Sequence, residues 1–187
     1  MARGRSRRRP WTSCERSTRA IDSRRMAARR SRIAGRGSPS RRWKRSSSIP
    51  DSYYLIEIKQ TDPPIVEGLL AAIEDHAALE RVVIASGDLD TIVAVRAAAP
   101  EAFTSLSTPE VLDLYINVGS PEYVAPAQFV HSPWDLTSAE LVAFAHELGM
   151  KVHPWTVNEE ARMADLIGRG VDGIMTDDPA LLETVAP

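Results

Sequence analysis

Cysteine is all but missing: Cys14 is the only one among 187 residues. A single thiol excludes an intramolecular disulfide framework and any zinc site built from several cysteines. No run approaches the roughly 18 apolar residues of a membrane-spanning helix. No apolar segment follows the basic start, as one would in a secretory signal peptide. A reducing, cytoplasmic location is the expectation. Acidic residues are scarce before position 50 and basic ones after it. Residues 1–50 hold seventeen Lys and Arg against Glu15 and Asp22, a net of +15. Residues 51–187 hold six basic and 23 acidic residues, a net of −17. The overall −2 therefore conceals two segments unlike in kind.

Residues 1–50 are mostly Arg, Ser, Ala and Gly, with no apolar period of 2 or 3.6. Such a stretch buries too little surface to offset its ordering entropy, so a disordered basic segment is expected. The pattern changes at Pro50-Asp51. Tyr53–Lys59 (YYLIEIK), Arg81–Ser86 (RVVIAS), Ala102–Leu106, Gln128–His131, Lys151–Val157 (KVHPWTV) and Gly173–Thr176 (GIMT) read as strands. Between them Ile65–Ala78, a stretch from Asp88 to about Ala99, Pro109–Tyr115, a stretch from Ser138 to Leu148 and Glu159–Arg169 read as helices. Asp88 and Ser138 are N-cap candidates, Gly149 is a C-terminal stop, and a last helical turn starts near Asp178-Pro179. Alternating strand and helix predicts an α/β architecture with a parallel sheet. Periodicity alone leaves barrel and open sheet both open.

Glu57 and Lys59 lie two apart on one predicted strand, so their side chains share a face with Leu55 while Ile56 and Ile58 point the other way. A carboxylate is a hard oxygen ligand for Mg²⁺ or Ca²⁺, and a lysine is a point charge for phosphate. An ordinary ion pair at a strand end fits the same spacing.

YLIEIK is similar to a strand ending in E-I-K in the glycerophosphodiester phosphodiesterase family. KVHPWTVNEEARMADLIGRGVDGIMTDDPALL resembles that family's closing segment, a W-T-V-N strand end, a helix, and G-V-D-G-I-x-T-D-x-P. The order and spacing agree over about 135 residues. The resemblance implies a (β/α)₈ TIM barrel, here incomplete and holding the later strands only. It implies metal-dependent hydrolysis of a glycerophosphodiester to glycerol 3-phosphate and an alcohol, in phospholipid and glycerol metabolism. It makes Glu57 one of three carboxylates on a divalent Mg or Ca ion, Lys59 a phosphate contact and Trp155 a wall near the glycerol. For Trp155 a barrel-core aromatic is the alternative. Asn158 orders the loop after its strand on the family's pattern, or caps the next helix. Asp177 reads as a turn and capping residue. His76, His131, His146 and His153 match no family motif and read as surface or packing residues. The family's H-R-G motif, E-x-D pair and second histidine are absent, so a catalytically incomplete fragment is expected.

Three readings compete for residues 1–50: a basic arm binding nucleic acid through phosphates, an Arg- and Ser-rich transit peptide, and an out-of-frame translation. The genetic code discriminates among them. In the frame made of each codon's third base and the next codon's first two, several residues are forced. Trp43-Lys44 gives Glu, Arg42-Trp43 gives Leu, Met or Val, Met26-Ala27 gives Gly and Trp11-Thr12 gives Asp. Permitted codons elsewhere yield a string ending TIPTLEEVLE, which resembles the family's stretch just before its E-I-K strand. The out-of-frame reading is therefore the expectation, with the domain proper at 51–187. A basic-tailed nucleic-acid-binding protein and a different phosphate-handling β/α barrel are the alternatives.

Overall fold

The computed structural model describes residues 53–186; the expectations made for residues 1–50 lie outside them. Tyr54–Glu57 (β1) pairs in parallel with Val82–Ala85 (β2), Tyr54 opposite Val82 and Glu57 opposite Ala85. Next to β2, also parallel, runs Phe103–Thr104 (β3). Phe129–Val130 (β4) and Lys151–Val152 (β5) form a second parallel pair. A bridge between Ser105 and Phe129, with Leu106 N–H donating to the Phe129 carbonyl at 2.9 Å, joins the two sets. Strand order thus follows chain order. Parallel neighbours need long crossovers, supplied by helices Val66–Asp75 (α1), Leu89–Ala98 (α2), Thr108–Ile116 (α3) and Ala139–Glu147 (α4). Glu160–Gly168 (α5) and Pro179–Val185 (α6) follow β5. Among the described residues no helix is long and apolar enough to cross a membrane.

The two sheet faces differ. Ile58, Val82 and Ile84 are buried against Val66, Leu70 and Ile73 of α1 and Ile92 and Val95 of α2. Val130 and Val152 continue this face against Leu114, Leu141 and Val142. Burying the helix-facing side at about 25 cal/mol per Å² is the main force holding the layers together. The opposite face carries Leu55, Glu57, Phe103, Phe129 and His131; Leu55 is 44% exposed and Phe129 3%. Alternation along each strand sets this division.

The strands are shorter than the sequence predicts, because only their paired middles form ladders. Gly173–Thr176 is not a strand. Met175 N–H donates to the Pro154 carbonyl at 2.9 Å and Val157 N–H to the Met175 carbonyl at 3.0 Å. These bonds span Pro154 to Val157, one residue more than a regular parallel ladder allows, and Pro154 has no N–H to give. The segment still lies beside β5. Helix starts agree better with expectation. Asp88 accepts from Thr91 N–H at 2.8 Å and Ser138 from Leu141 N–H at 3.1 Å. The helix expected to reach Ala78 stops at Asp75, where Ala77 takes a positive φ of 48°. At the head of α3, Ser107 and Glu110 form a capping box.

Glu110 also receives the Arg96 guanidinium, whose Nε donates to Thr104 Oγ1 at 3.1 Å and Nη2 to the Ser105 carbonyl at 3.0 Å. One arginine thereby ties α2, β3 and α3 together. Burial works to raise the Glu110 pKa, but the bonds from Arg96 and Ser107 outweigh it and hold the carboxyl below its ordinary value. The stabilisation is present above the unfolded carboxyl's pKa and lost as pH falls through the folded one. With both side chains largely buried, removing one partner strands the other. Arg96→Ala is expected to cost about 3 kcal/mol or more, read as loss of most soluble protein on expression beside wild type. An unchanged soluble yield would show that the network is dispensable.

Candidate functional site

At the C-terminal end of β1 the strand's alternation brings Glu57 and Lys59 together, Nζ 3.3 Å from Oε2, both exposed. They project from the face opposite the helix-packed core. Ser86, just past β2, fixes the backbone between them: its hydroxyl donates to the Ile58 carbonyl at 3.0 Å and accepts from Asp88 N–H at 3.2 Å. Ile58 N–H completes the clamp by donating to the Ala85 carbonyl at 2.7 Å. Sequence reasoning missed Ser86. A lone serine after an apolar run carries no pattern, although its place at a strand's C-terminal end was a hint.

Trp155 stands at the matching end of the β5 segment, held by its N–H to the Ser132 carbonyl at 3.0 Å and by Trp134 N–H to its own carbonyl at 3.1 Å. Its side chain is 44% exposed, so it is not the buried core aromatic weighed as an alternative. Four strand positions separate it from the Glu57–Lys59 pair. Asn158 does not cap α5; Glu159 takes that position without a side-chain bond. Instead Asn158 Nδ2 donates to Asp177 Oδ2 at 2.8 Å, and its Oδ1 accepts from Thr176 Oγ1 and Asp177 N–H, each at 3.0 Å. It ties the loop after β5 to the loop before α6. Asp177 serves that tie, and Asp178 caps α6 by accepting from Leu181 N–H at 3.0 Å.

The histidines divide. His76 and His146 are exposed; His146 Nε2 lies 2.8 Å from Asp172. One residue past β4 and β5, His131 and His153 stack, centroids 5.5 Å apart and planes at 13°, with Phe129 5.4 Å from His153. Burial and then the neighbouring His153 push the His131 pKa down to about 3. Burial lowers His153 too, with Asp172 opposing and Lys151 adding to the shift. Both rings are neutral at pH 7. A folded pKa depressed from 6.5 means that the unfolded chain takes up protons first as pH falls. Order should therefore decline from about pH 6.5 towards pH 3. The check is ANS fluorescence against pH, with His131→Phe expected to move its rise to lower pH; an unmoved onset would remove the pair from the acid response.

The donor set does not suit a resident divalent cation. Mg²⁺ or Ca²⁺ takes about six or more oxygen ligands, whereas the rim offers the Glu57 carboxylate, already beside an ammonium. Among the described residues no group of three or more His, Cys, Asp or Glu could hold a metal.

Consecutive parallel strands, each followed by a helix, with charged groups at the strands' C-terminal ends, define a protein of the β/α-barrel type. The family model of the glycerophosphoryl diester phosphodiesterase family matches residues 42–181, and the chain belongs to that family. It is 34% identical over 143 residues to a glycerophosphodiester phosphodiesterase of Caldanaerobacter subterraneus subsp. tengcongensis, covering 72% of this chain and 56% of that one. A solved structure from Silicibacter pomeroyi superposes with a TM-score of 0.60 at 31% identity, covering 71% of this chain and 50% of its own. An Oleispira antarctica phosphodiesterase, solved with its product sn-glycerol-3-phosphate, shares the fold at 17% identity and a TM-score of 0.51, over 69% and 53% of the two chains. The chain spans about half the length of the curated relatives it matches.

Proposed function

We propose that residues 51–187 are the later β/α units of a glycerophosphodiester phosphodiesterase barrel, and that this chain alone is not competent for the reaction. The supporting observation is the Glu57–Lys59 pair, held side by side by Ser86 at the C-terminal end of a parallel strand, on the face opposite the helix-packed core. In the whole enzyme the reaction is hydrolysis of a glycerophosphodiester to glycerol 3-phosphate and an alcohol. A divalent ion in that enzyme supplies charge for the phosphoryl oxygens. Glu57 alone does not fit such an ion. Lys59 places a positive charge where a phosphate arrives, and a carboxylate beside it keeps the ammonium at the rim. Trp155 gives an exposed aromatic wall for the glycerol carbons. Asn158 and Asp177 fix the neighbouring loops.

A covalent chimera tests the reading. The part of the Caldanaerobacter enzyme preceding its match is joined to residues 51–187. The chimera is expected to release glycerol 3-phosphate from a glycerophosphodiester in the presence of Mg²⁺ or Ca²⁺. Glu57→Gln should then lower kcat/KM by about 10²-fold or more. Equal activity of the folded variant would remove Glu57 from the site.

A further inference from the structure

We infer that the outer faces of α2 and α3 are an interface through which two copies of this chain associate about a two-fold axis. A helix that covers a sheet turns one face to the sheet and the other to water, and the water face is ordinarily polar. These two helices depart from that pattern. α2 buries Thr91, Ile92 and Val95, yet its outer face carries Leu89, Val93, Ala94 and Ala97, with Val93 50% exposed. α3 buries Leu114 and turns Leu112 and Ile116, four residues apart on one face, outwards at 61% and 75% exposed. Val118, just past α3, is exposed as well. The helices lie side by side, joined by Arg96 and Glu110, so their outer side chains form one patch. It exposes on the order of 500 Å² of apolar surface, a size that marks an interaction site on a single chain. α1 and α4 flank α2 and α3 in the series, so the patch lies in the middle of the helix layer.

Charge, area and shape together select a second copy as the occupant. Residues 97–150 contain no Lys or Arg, and Arg96 is held by Glu110. The charged groups exposed on the two helices are Asp90 and Asp113. An anionic lipid surface or a nucleic acid is therefore repelled. A stable interface takes about 800 Å² from each partner, and between identical chains its centre is apolar and poor in charge. The patch supplies such a centre. Its shape complements itself: α3 raises the large Leu112 and Ile116, while α2 offers the small Ala94 and Ala97. A two-fold rotation sets the α3 ridge of each chain on the α2 alanines of the other, so one contact is made twice. The contact is on the outside of the helix layer and does not depend on the role of Glu57 or Lys59.

Size-exclusion chromatography of the full 187-residue chain with light-scattering detection tests the contact. The smallest species at micromolar concentration is expected to have the mass of two chains. Ile116→Lys and Ala97→Glu, both at exposed positions, should each raise the dissociation constant about tenfold or more. An equimolar mixture of the two variants should recover the dimer, because the lysine of one copy then meets the glutamate of the other. Leu55→Lys, on the far side of the sheet, should leave the mass at two chains, which separates this contact from aggregation through the sheet. Added salt should tighten the association, since it screens the like charges of Asp90 and Asp113 around the patch. A wild-type species with the mass of one chain would overturn the inference. So would a dimer indifferent to both Ile116→Lys and Ala97→Glu, one abolished by Leu55→Lys, or one that salt loosens. Failure of the mixture to recover would overturn the pairing of α3 with the α2 of the other copy.

Discussion

Given a glycerophosphodiester and Mg²⁺ or Ca²⁺, the purified chain is expected to release no glycerol 3-phosphate above background. Phosphodiester hydrolysis needs charge stabilisation at the phosphoryl oxygens and a proton for the leaving alkoxide. At the rim, the described residues offer Glu57 and Lys59 for the first and nothing poised for the second. His131 is held neutral by burial, with its pKa near 3, and burial lowers the pKa of His153, stacked on it, as well. Neither ring is protonated at neutral pH, so neither serves as the acid for the leaving group. Positioned acid–base groups contribute about 10²–10⁴-fold, and loss of preorganised charge stabilisation removes about 10²–10³-fold more. Together these take a rate at the low end of ordinary turnover below what a coupled glycerol 3-phosphate assay detects. Metal-dependent release from the wild-type chain, abolished by Glu57→Gln, would show that the described residues suffice for catalysis.

The order of strands and helices was legible because each strand is an apolar run buried on its helix side, and each helix carries its own start signal. Asp88 and Ser138 needed no partner beyond three residues to be read as caps. The Glu57–Lys59 pair was legible for the same kind of reason: a period of two puts both on one face whatever the tertiary fold. What escaped were contacts made across the chain. Arg96 reaches Glu110 and the strand between them, and nothing local in either sequence marks the pairing. The capping box at Ser107 and Glu110 did carry a local signature, S-x-x-E, and went unread. Asn158 shows the opposite failure. A local rule favoured it as an N-cap, but Asp177, nineteen positions on, offered both a carboxylate and a backbone N–H and won. Gly173–Thr176 has the apolar look of a strand, and Pro154 opposite it broke the ladder.

The isolated chain is expected to be poorly ordered and prone to aggregate. A closed barrel leaves no strand with a free edge, whereas β1 here pairs on one side among the described residues. Among the described residues no second strand pairs with its Leu55 and Glu57 peptide groups, and the Leu55 side chain is 44% exposed. The helix-facing core is in place, from Ile58 and Ile84 to Val152 and Met163, so secondary structure and partial collapse should survive. The opposite face is less completely buried: Phe129 is 3% exposed, but Leu55 and Trp155 are each 44% exposed, and the His131–His153 stack places two polar rings where apolar side chains would gain more. Domains with every face covered are stable by only about 5–15 kcal/mol. Losing the burial of one sheet face removes several apolar side chains at about 1.5–3 kcal/mol each, which uses up that margin. Far-UV CD of a β/α protein should therefore accompany a weak near-UV signal and strong ANS binding at neutral pH. Sharp, cooperative thermal unfolding of a soluble monomer in isolation would defeat this account, because it would mean that the described sheet is stable with its β1 edge and inner face open to water.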